Sequence, residues 1–238
     1  MLISEIRGWF YYQYKNLLLK TMKRCIIIAN GKSPSKKVVN YFFEKGFNKI
    51  ICADGGANSA KKIGIIPNFI IGDLDSIDLS SKNYFKDKST IIQIRRQNDT
   101  DVEKCLKFAI KKGFKEAILL GVTGDRLDHT ICNLGIVIKF FSKIKIYLAA
   151  ESSFLTPINN DRTIKSKIGE TISIYAFDNK TRITSIGLKY KLQNTALPFG
   201  VRESTSNVSI SNEVKLFVSG GIVFVIRDFN FMKKHDLF

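Results

Sequence analysis

The sequence predicts an α/β domain built on a parallel sheet, followed by a smaller antiparallel β domain of sandwich-like character. Three observations carry this. Between Cys25 and Ala150, near-continuous Ile, Leu and Val runs alternate with segments of helical spacing, the pattern of a parallel sheet covered on both faces. After about Glu151 the helical spacing stops, and short strand-like runs follow one another between turn residues. The 238 residues, 45% hydrophobic and 25% charged, suffice for two modest cores. The boundaries expected are an extension over 1–21, an α/β domain over 22–150 and a β domain over 151–238.

Residues 1–21 stand apart. Trp9-Phe10-Tyr11-Tyr12 and Leu17-Leu18-Leu19 mix with Arg7, Lys15 and Lys20, and no small-residue cleavage site follows as in a signal peptide. An extra helix, a membrane-surface helix or a consequence of start-site choice would each account for them, since Met22 shortly precedes a clear strand. Cys25–Ala29 is that strand, and Pro34 to Lys45 has helical spacing through Val38, Val39, Phe42 and Phe43. Lys49–Ala53 is a strand leading to a short helix from Ala57 to Ile63. Phe69–Ile71 and Thr90–Ile94 are strands, and Thr100 to Lys112 is a helix opened by a capping box, Thr100 with Glu103. The strand Ala117–Val122, the helix Leu127–Phe141 and the strand Lys145–Ala149 complete the first domain. In the second, Thr171–Phe177, Arg182–Ile186, Val208–Ile210, Val214–Ser219 and Ile222–Arg227 are the expected strands. Asp178-Asn179 and Gly220-Gly221 mark turns between them.

Charge and composition narrow the function. The net charge is +17, but its lysines are spread along the chain without a Lys/Arg block or a basic-aromatic motif. That argues against a dedicated nucleic-acid partner, and suits either capture of polyanionic nucleotides or a simply solvated surface. Cys25, Cys52, Cys105 and Cys132 form no Cys-x-x-Cys pair and lie in apolar periodic segments, so they are expected to be reduced core residues of a cytoplasmic protein. Only His129 and His235 are present, which excludes His-rich zinc sites and most catalytic triads. No apolar run approaches the roughly 18 residues that span a bilayer, so no membrane partner is expected.

The chemistry gathers at strand ends. Phe69-Ile70-Ile71-Gly72-Asp73-Leu74-Asp75-Ser76-Ile77 is an apolar run ending in a glycine and paired carboxylates. In open parallel sheets ligands sit at such ends. If the backbone stays extended, Asp73 and Asp75 point the same way and repel, which a divalent metal relieves; Mg²⁺ suits one or two carboxylates. An Asp-rich turn without a metal has the same residues. Ala53-Asp54-Gly55-Gly56-Ala57-Asn58 ends a strand and opens a helix, offering unpaired N–H groups to an anion, with Asp54 as a polar contact; ordinary strand–helix turns are also built this way. Gln97-Asn98-Asp99-Thr100-Asp101-Val102-Glu103-Lys104 places Asp101 to join the carboxylates if the strands are neighbours, and Lys104 within reach of a phosphate. Capping alone would also explain Thr100 and its acidic neighbours. Gly121-Val122-Thr123-Gly124-Asp125-Arg126-Leu127-Asp128-His129 supplies Arg126 for bidentate phosphate contact, with Asp128 to orient it or meet substrate; a surface Arg–Asp pair is the alternative. Together, carboxylates, glycine turns, one Arg and one Lys make a phosphoryl-transfer site.

Assembled in order, these motifs resemble the thiamine pyrophosphokinase (thiamine diphosphokinase) family. Gly187-Leu188-Lys189-Tyr190, Phe199-Gly200 and Ser204-Thr205-Ser206-Asn207 in the second domain are similar to its thiamine-binding segment. Asp125 stands where many members have glycine, and Tyr190 where some have tryptophan. The resemblance, over about residues 23–228, implies an α/β domain, a β domain and a homodimer with active sites between subunits. It implies transfer of a pyrophosphoryl group from ATP to the hydroxyl of thiamine, giving thiamine diphosphate and AMP. By position, Asp73, Asp75 and Asp101 would hold Mg²⁺; Asp54, Gly55, Gly56, Asn58, Thr100, Lys104, Arg126 and Asp128 would serve the nucleotide. Gln97, Tyr190, Ser204, Ser206 and Asn207 would line the thiamine pocket. Asp101 or Asp75 would accept the hydroxyl proton.

Overall fold

The computed structural model describes residues 23–238, so the expectations for residues 1–21 fall outside the described residues. The chain divides into two compact units. One runs to Asn133 and includes Ser142–Lys145; the other comprises Leu134–Phe141 and Ile146–Phe238.

In the first unit the elements are β1 (Arg24–Ile28), α1 (Lys36–Glu44), β2 (Lys49–Ala53), α2 (Gly56–Lys62) and β3 (Phe69–Gly72). They continue as α3 (Leu79–Phe85), β4 (Thr90–Gln93), α4 (Asp101–Lys111) and β5 (Glu116–Leu120), after which α5 (Leu127–Phe140) begins. The strands lie in the order β5-β1-β2-β3-β4, all parallel. Every residue of β1 and β5 is buried, which is why their sequences are unbroken rather than alternating. Ser35 accepts the Val38 N–H at the start of α1, and Thr100 accepts the Glu103 N–H at 3.2 Å to start α4. From α4, Val102, Cys105, Leu106 and Ala109 go into the core at helical spacing. Helix α3 is absent from the sequence expectation because only Ser81 and Phe85 of it are buried, too few to print an apolar period.

Cys25, Cys52 and Cys105 are buried and free, and burial pushes the Cys25 thiol up to about 12. Cys132 corrects the expectation of four core cysteines: it is exposed. The next residue of α5, Asn133, is the one turned inward, donating to the Val122 carbonyl at 2.7 Å.

The second unit is the antiparallel, sandwich-like β domain. Its strands are β6 (Lys145–Ala149, from Ile146 onward), β7 (Ser153–Ile158), β8 (Arg162–Lys165), β9 (Thr171–Ala176), β10 (Arg182–Ile186), β11 (Ser204–Val208), β12 (Glu213–Ser219) and β13 (Val223–Asp228), before α6 (Phe229–Lys234). One set of neighbours is β11-β9-β13-β7-β6, and the other is the separate sheet β10-β12-β8. Ile172 and Ile174 of β9, Val214 and Leu216 of β12, and Val225 of β13 share one core. Strand β12 shows why: Val214, Leu216 and Val218 face inward while the residues between them are exposed. Strand β11 lies earlier than Val208–Ile210, since Ser-Thr-Ser-Asn has no β-type alternation and only pairing with β9 makes it a strand.

A buried ion pair ties this unit together. Arg227 Nε lies 2.7 Å from Glu170 Oε1 and Arg227 Nη2 lies 2.9 Å from Oε2, while Nη2 also donates to the Lys165 carbonyl at 2.8 Å. Ser166 Oγ donates to Glu170 Oε2 at 2.6 Å, so the fully buried carboxylate is saturated. Removing one partner of such a pair costs about 3–5 kcal/mol because the other charge is left buried. Arg227→Met is therefore expected to destabilise the protein by that amount in urea unfolding, and Arg227→Met with Glu170→Leu to recover much of the loss.

Candidate active site

The site in the first unit is built from strand ends. At the end of β2 the chain turns through Asp54, whose φ is +42°, and at the end of β3 it turns through Leu74, at φ +67°. Neither value is comfortable for a residue with a side chain. Asp54 holds both in place. Its Oδ2 accepts the N–H groups of Leu74 (3.0 Å), Asp75 (3.2 Å) and Ser76 (3.4 Å), and its Oδ1 accepts that of Ile77 (2.9 Å). One turn along α2, Asn58 donates to the Ser76 carbonyl at 3.0 Å and accepts the Asp78 N–H at 3.0 Å. The two side chains thus hold the 74–78 loop, a task that the expected nucleotide contact does not include.

Leu74 also overturns the extended backbone expected from Asp73 to Asp75. A positive φ between them breaks the alternation, and the two carboxylates do not share a face. Asp75 is exposed and accepts from Ser76 Oγ at 2.9 Å. The carboxylates that converge are those of Asp54, Asp73 and Asp101, with one oxygen from each lying within 4.8 Å of the others. Gly72 makes room for them: a Cβ there would lie 2.6 Å from Asp54 Cβ and 3.2 Å from Asp101 Oδ1.

Lys104 completes this group. Its side chain is only 3% exposed, and Nζ lies 2.8 Å from Asp101 Oδ1 and 3.7 Å from Asp73 Oδ2. Burial alone would lower the lysine pKa, but the neighbouring carboxylates, Asp101 foremost, raise it. Burial, then the adjoining Asp73 carboxyl, pushes Asp54 up to about 6. Burial works the same way on Asp73, yet the Asp54 carboxyl and Lys104 hold it below its ordinary value. Of the two, Asp54 is the more readily protonated as pH falls and Asp73 the more readily ionised. Gln97 Nε2 donates to Asp73 Oδ2 at 3.4 Å, and Gln93 to the Asp73 carbonyl at 2.9 Å. Asp73 Oδ1, by contrast, is buried with no hydrogen-bond partner. An orphaned carboxylate oxygen in a group of three carboxylates fits a hard cation.

The remaining residues lie around the same strand ends. Gly55 and Gly56 open α2 against the Asn30 side chain and the Ile28 carbonyl. Thr100 uses its hydroxyl as the α4 cap. Arg126 and Asp128 are exposed and joined by paired contacts of 2.9 and 2.6 Å, which hold Asp128 well below the usual carboxylate range. Sequence reasoning missed Asn30-Gly31-Lys32. Pairing of β1 with β5 continues past the strand ends here, Gly31 N–H to the Gly121 carbonyl and Lys32 N–H to that of Thr123, each 2.7 Å. A Cβ on Gly31 would lie 2.5 Å from both carbonyl oxygens. This is also where the strand order changes direction, the usual ligand crevice of open α/β sheets; the Asn-Gly pair after a strand was the available signal.

A second group lies in the β domain. Asn207, 1% exposed, accepts the Tyr190 N–H through Oδ1 at 3.0 Å and donates through Nδ2 to the Tyr190 carbonyl at 2.7 Å. The same amide donates to Ser204 Oγ at 3.3 Å. Ser206 sits at φ +55° in a bulge of β11, its N–H on Ser173 Oγ at 2.9 Å. Tyr190 is left with its ring exposed, Lys189 Nζ 5.5 Å from the ring centre.

Two family models match the chain. One, described as thiamin pyrophosphokinase, catalytic domain, covers residues 43–148; the other, thiamin pyrophosphokinase, vitamin B1 binding domain, covers residues 159–223. The thiamine pyrophosphokinase 3 of Oryza sativa subsp. japonica is 32% identical over 189 residues, 66% of this chain and 70% of that protein. The chain belongs to the thiamine pyrophosphokinase family. The thiamin pyrophosphokinase 1 of Caenorhabditis elegans is 28% identical over 203 residues, 78% of this chain and 82% of that protein. The crystal structure of the Bacillus subtilis thiamine pyrophosphokinase superposes with a TM-score of 0.74 at 25% identity, covering 86% of this chain and 99% of that one. Asp54, Asp73, Asp101 and Lys104 fall within the catalytic-domain match, and Tyr190, Ser204, Ser206 and Asn207 within the vitamin B1 binding match.

Asp54→Asn tests the loop clamp directly. An amide NH₂ in place of Oδ2 cannot accept from residues 74–76, and hydrogen bonds to a charged group contribute about 1.5–3 kcal/mol each. Chemical denaturation is expected to show a loss of at least about 2 kcal/mol, and amide hydrogen exchange to show faster exchange at Leu74 to Ile77.

Proposed function

We propose that this chain is a Mg²⁺-dependent thiamine diphosphokinase, transferring the pyrophosphoryl group of ATP to the hydroxyl of thiamine to give thiamine diphosphate and AMP. The observation that carries the reading is the convergence of Asp54, Asp73 and Asp101 around the orphaned Asp73 Oδ1, in a chain that matches both family models. Asp73 and Asp101 would hold the cation, with Asp54 behind them. When bound, the metal would neutralise charge on the phosphate oxygens.

The chain's own residues do the rest in this reading. Lys104 and Arg126 supply positive charge to phosphate oxygens, Arg126 as a fork kept in shape by Asp128. Asp54 and Asn58 keep the 74–78 loop, and so the position of Asp73, from shifting between turnovers. Asn207 fixes the Tyr190 backbone, so the exposed ring offers an aromatic face to the cationic thiazolium. Ser204 and Ser206 line the same strand, and Gln97 approaches Asp73 from the loop before α4. The thiamine hydroxyl attacks the β-phosphorus in line, a carboxylate oxygen of Asp75 or Asp101 takes its proton, and AMP leaves. Positioning and charge neutralisation supply the rate, without a covalent enzyme intermediate. A cytoplasmic homodimer belongs to this reading, and sedimentation equilibrium tests the dimer. No helix among the described residues is long and apolar enough to cross a membrane.

Incubation with ATP, Mg²⁺ and thiamine is expected to yield thiamine diphosphate and AMP by mass detection; ADP with a monophosphate would sink the reading. Asp73→Asn is expected to cut turnover by a factor of about 10² or more while the circular dichroism spectrum is unchanged.

The metal is also expected to compete with the Asp54 proton. Because Asp54 titrates at about 6, Mg²⁺ affinity in calorimetry should fall by up to about tenfold per pH unit below that value. The raised value sets the sign for stability too. Asp54's own contribution is fully present below the unfolded value of about 3.9 and is lost as pH rises through about 6. Saturating Mg²⁺ is therefore expected to raise the unfolding temperature more at about pH 7.5 than at about pH 5.

A further inference from the structure

Lys104 stands where a cation is needed and cannot easily leave. Its helix is fixed by Val102, Cys105, Leu106 and Ala109 in the core, so only the side chain can move. That side chain is almost fully buried, and its ammonium rests on two of the three converging carboxylates. A divalent ion entering the group alone would push this ammonium off Asp101 while leaving it buried, and a buried charge without a counter-ion is costly. A nucleotide removes the difficulty, because its phosphates offer the lysine a new anion.

Granting the metal site proposed above, we infer that Lys104 is the resident counter-ion of the carboxylate group, keeping divalent-metal affinity low until a nucleotide arrives to take over the ammonium. Metal and nucleotide then bind together, each tightening the other by the same factor. Beyond contacting a phosphate, the lysine sets the order in which the site fills. No bond is made or broken in this step: the ammonium exchanges one anionic oxygen for another.

The test measures Mn²⁺ binding by electron paramagnetic resonance, with and without α,β-methylene-ATP, for the wild-type chain, Lys104→Met, Lys104→Gln and Asp73→Asn. Without nucleotide, both lysine variants are expected to bind Mn²⁺ about tenfold more tightly than wild type, the lower end of what one neighbouring charge does to a carboxylate. The nucleotide analogue is expected to tighten Mn²⁺ in wild type and to do so much less in the lysine variants. Equal or weaker nucleotide-free binding in the variants overturns the role given to Lys104, provided Asp73→Asn abolishes binding. If Asp73→Asn leaves Mn²⁺ binding unchanged, the metal site itself is wrong and the inference falls with it.

A measurement on the unmodified chain removes any dependence on how the variants fold. The buried, ion-paired ammonium is expected to give a slowly exchanging ¹H–¹⁵N resonance. It is expected to persist unshifted with millimolar Mg²⁺ alone and to move when Mg²⁺ and α,β-methylene-ATP are added together. A shift of the same size with Mg²⁺ alone, or none with both, overturns the inference.

Discussion

One buried carboxylate holds the catalytic unit's site in shape. Asp54 turns its oxygens on four consecutive backbone N–H groups, from Leu74 to Ile77, and so dictates the path of the chain after β3. Backbone held at φ +67° at Leu74 would relax without that anchor. Asp73 precedes the anchored stretch and is aimed by it; Gly72 precedes Asp73 and leaves the space that Asp54 and Asp101 occupy. Each of these features is intelligible only with the others in place.

Charge in the site is balanced on a short radius. Converging carboxylates would repel one another, and three means of relief operate together. Asp54 takes up a proton below about pH 6, Lys104 sets an ammonium against Asp101 and Asp73, and backbone N–H groups face the Asp54 carboxylate when it is charged. What is left over is a buried, unsatisfied oxygen on Asp73, a place where the group asks for something from outside. The same logic, a polar side chain spent on backbone so that a neighbour stays available, recurs in the β domain. There Asn207 occupies both backbone groups of Tyr190 and frees its ring for contact.

The legibility of the site follows from what kind of signal each residue leaves. Asp54, Asp73, Asp101 and Lys104 stand out because charge at the end of an apolar run is conspicuous in one dimension. Their partition into tasks leaves no such mark. Asp54 and Asp75 look equivalent in the sequence, two acidic residues beside glycines or apolar neighbours, yet one is buried as an anchor and the other is exposed. Likewise Asn30-Gly31 after a strand signals no more than a turn; the approach of Gly31 to the Gly121 and Thr123 carbonyls makes it significant.

What the sequence determined by itself is the alternation of buried strands and amphipathic helices up to β6, the strand-rich rhythm after it, the helix cap at Thr100, and the family. These depend on periodicity and on neighbours along the chain, both of which a linear string records. Tertiary structure alone decided which carboxylates meet, that Leu74 breaks the extended path, that Cys132 faces out, and that Ser204–Val208 is a strand. Those outcomes rest on contacts between segments far apart in sequence, where backbone hydrogen bonds and excluded volume override local preference.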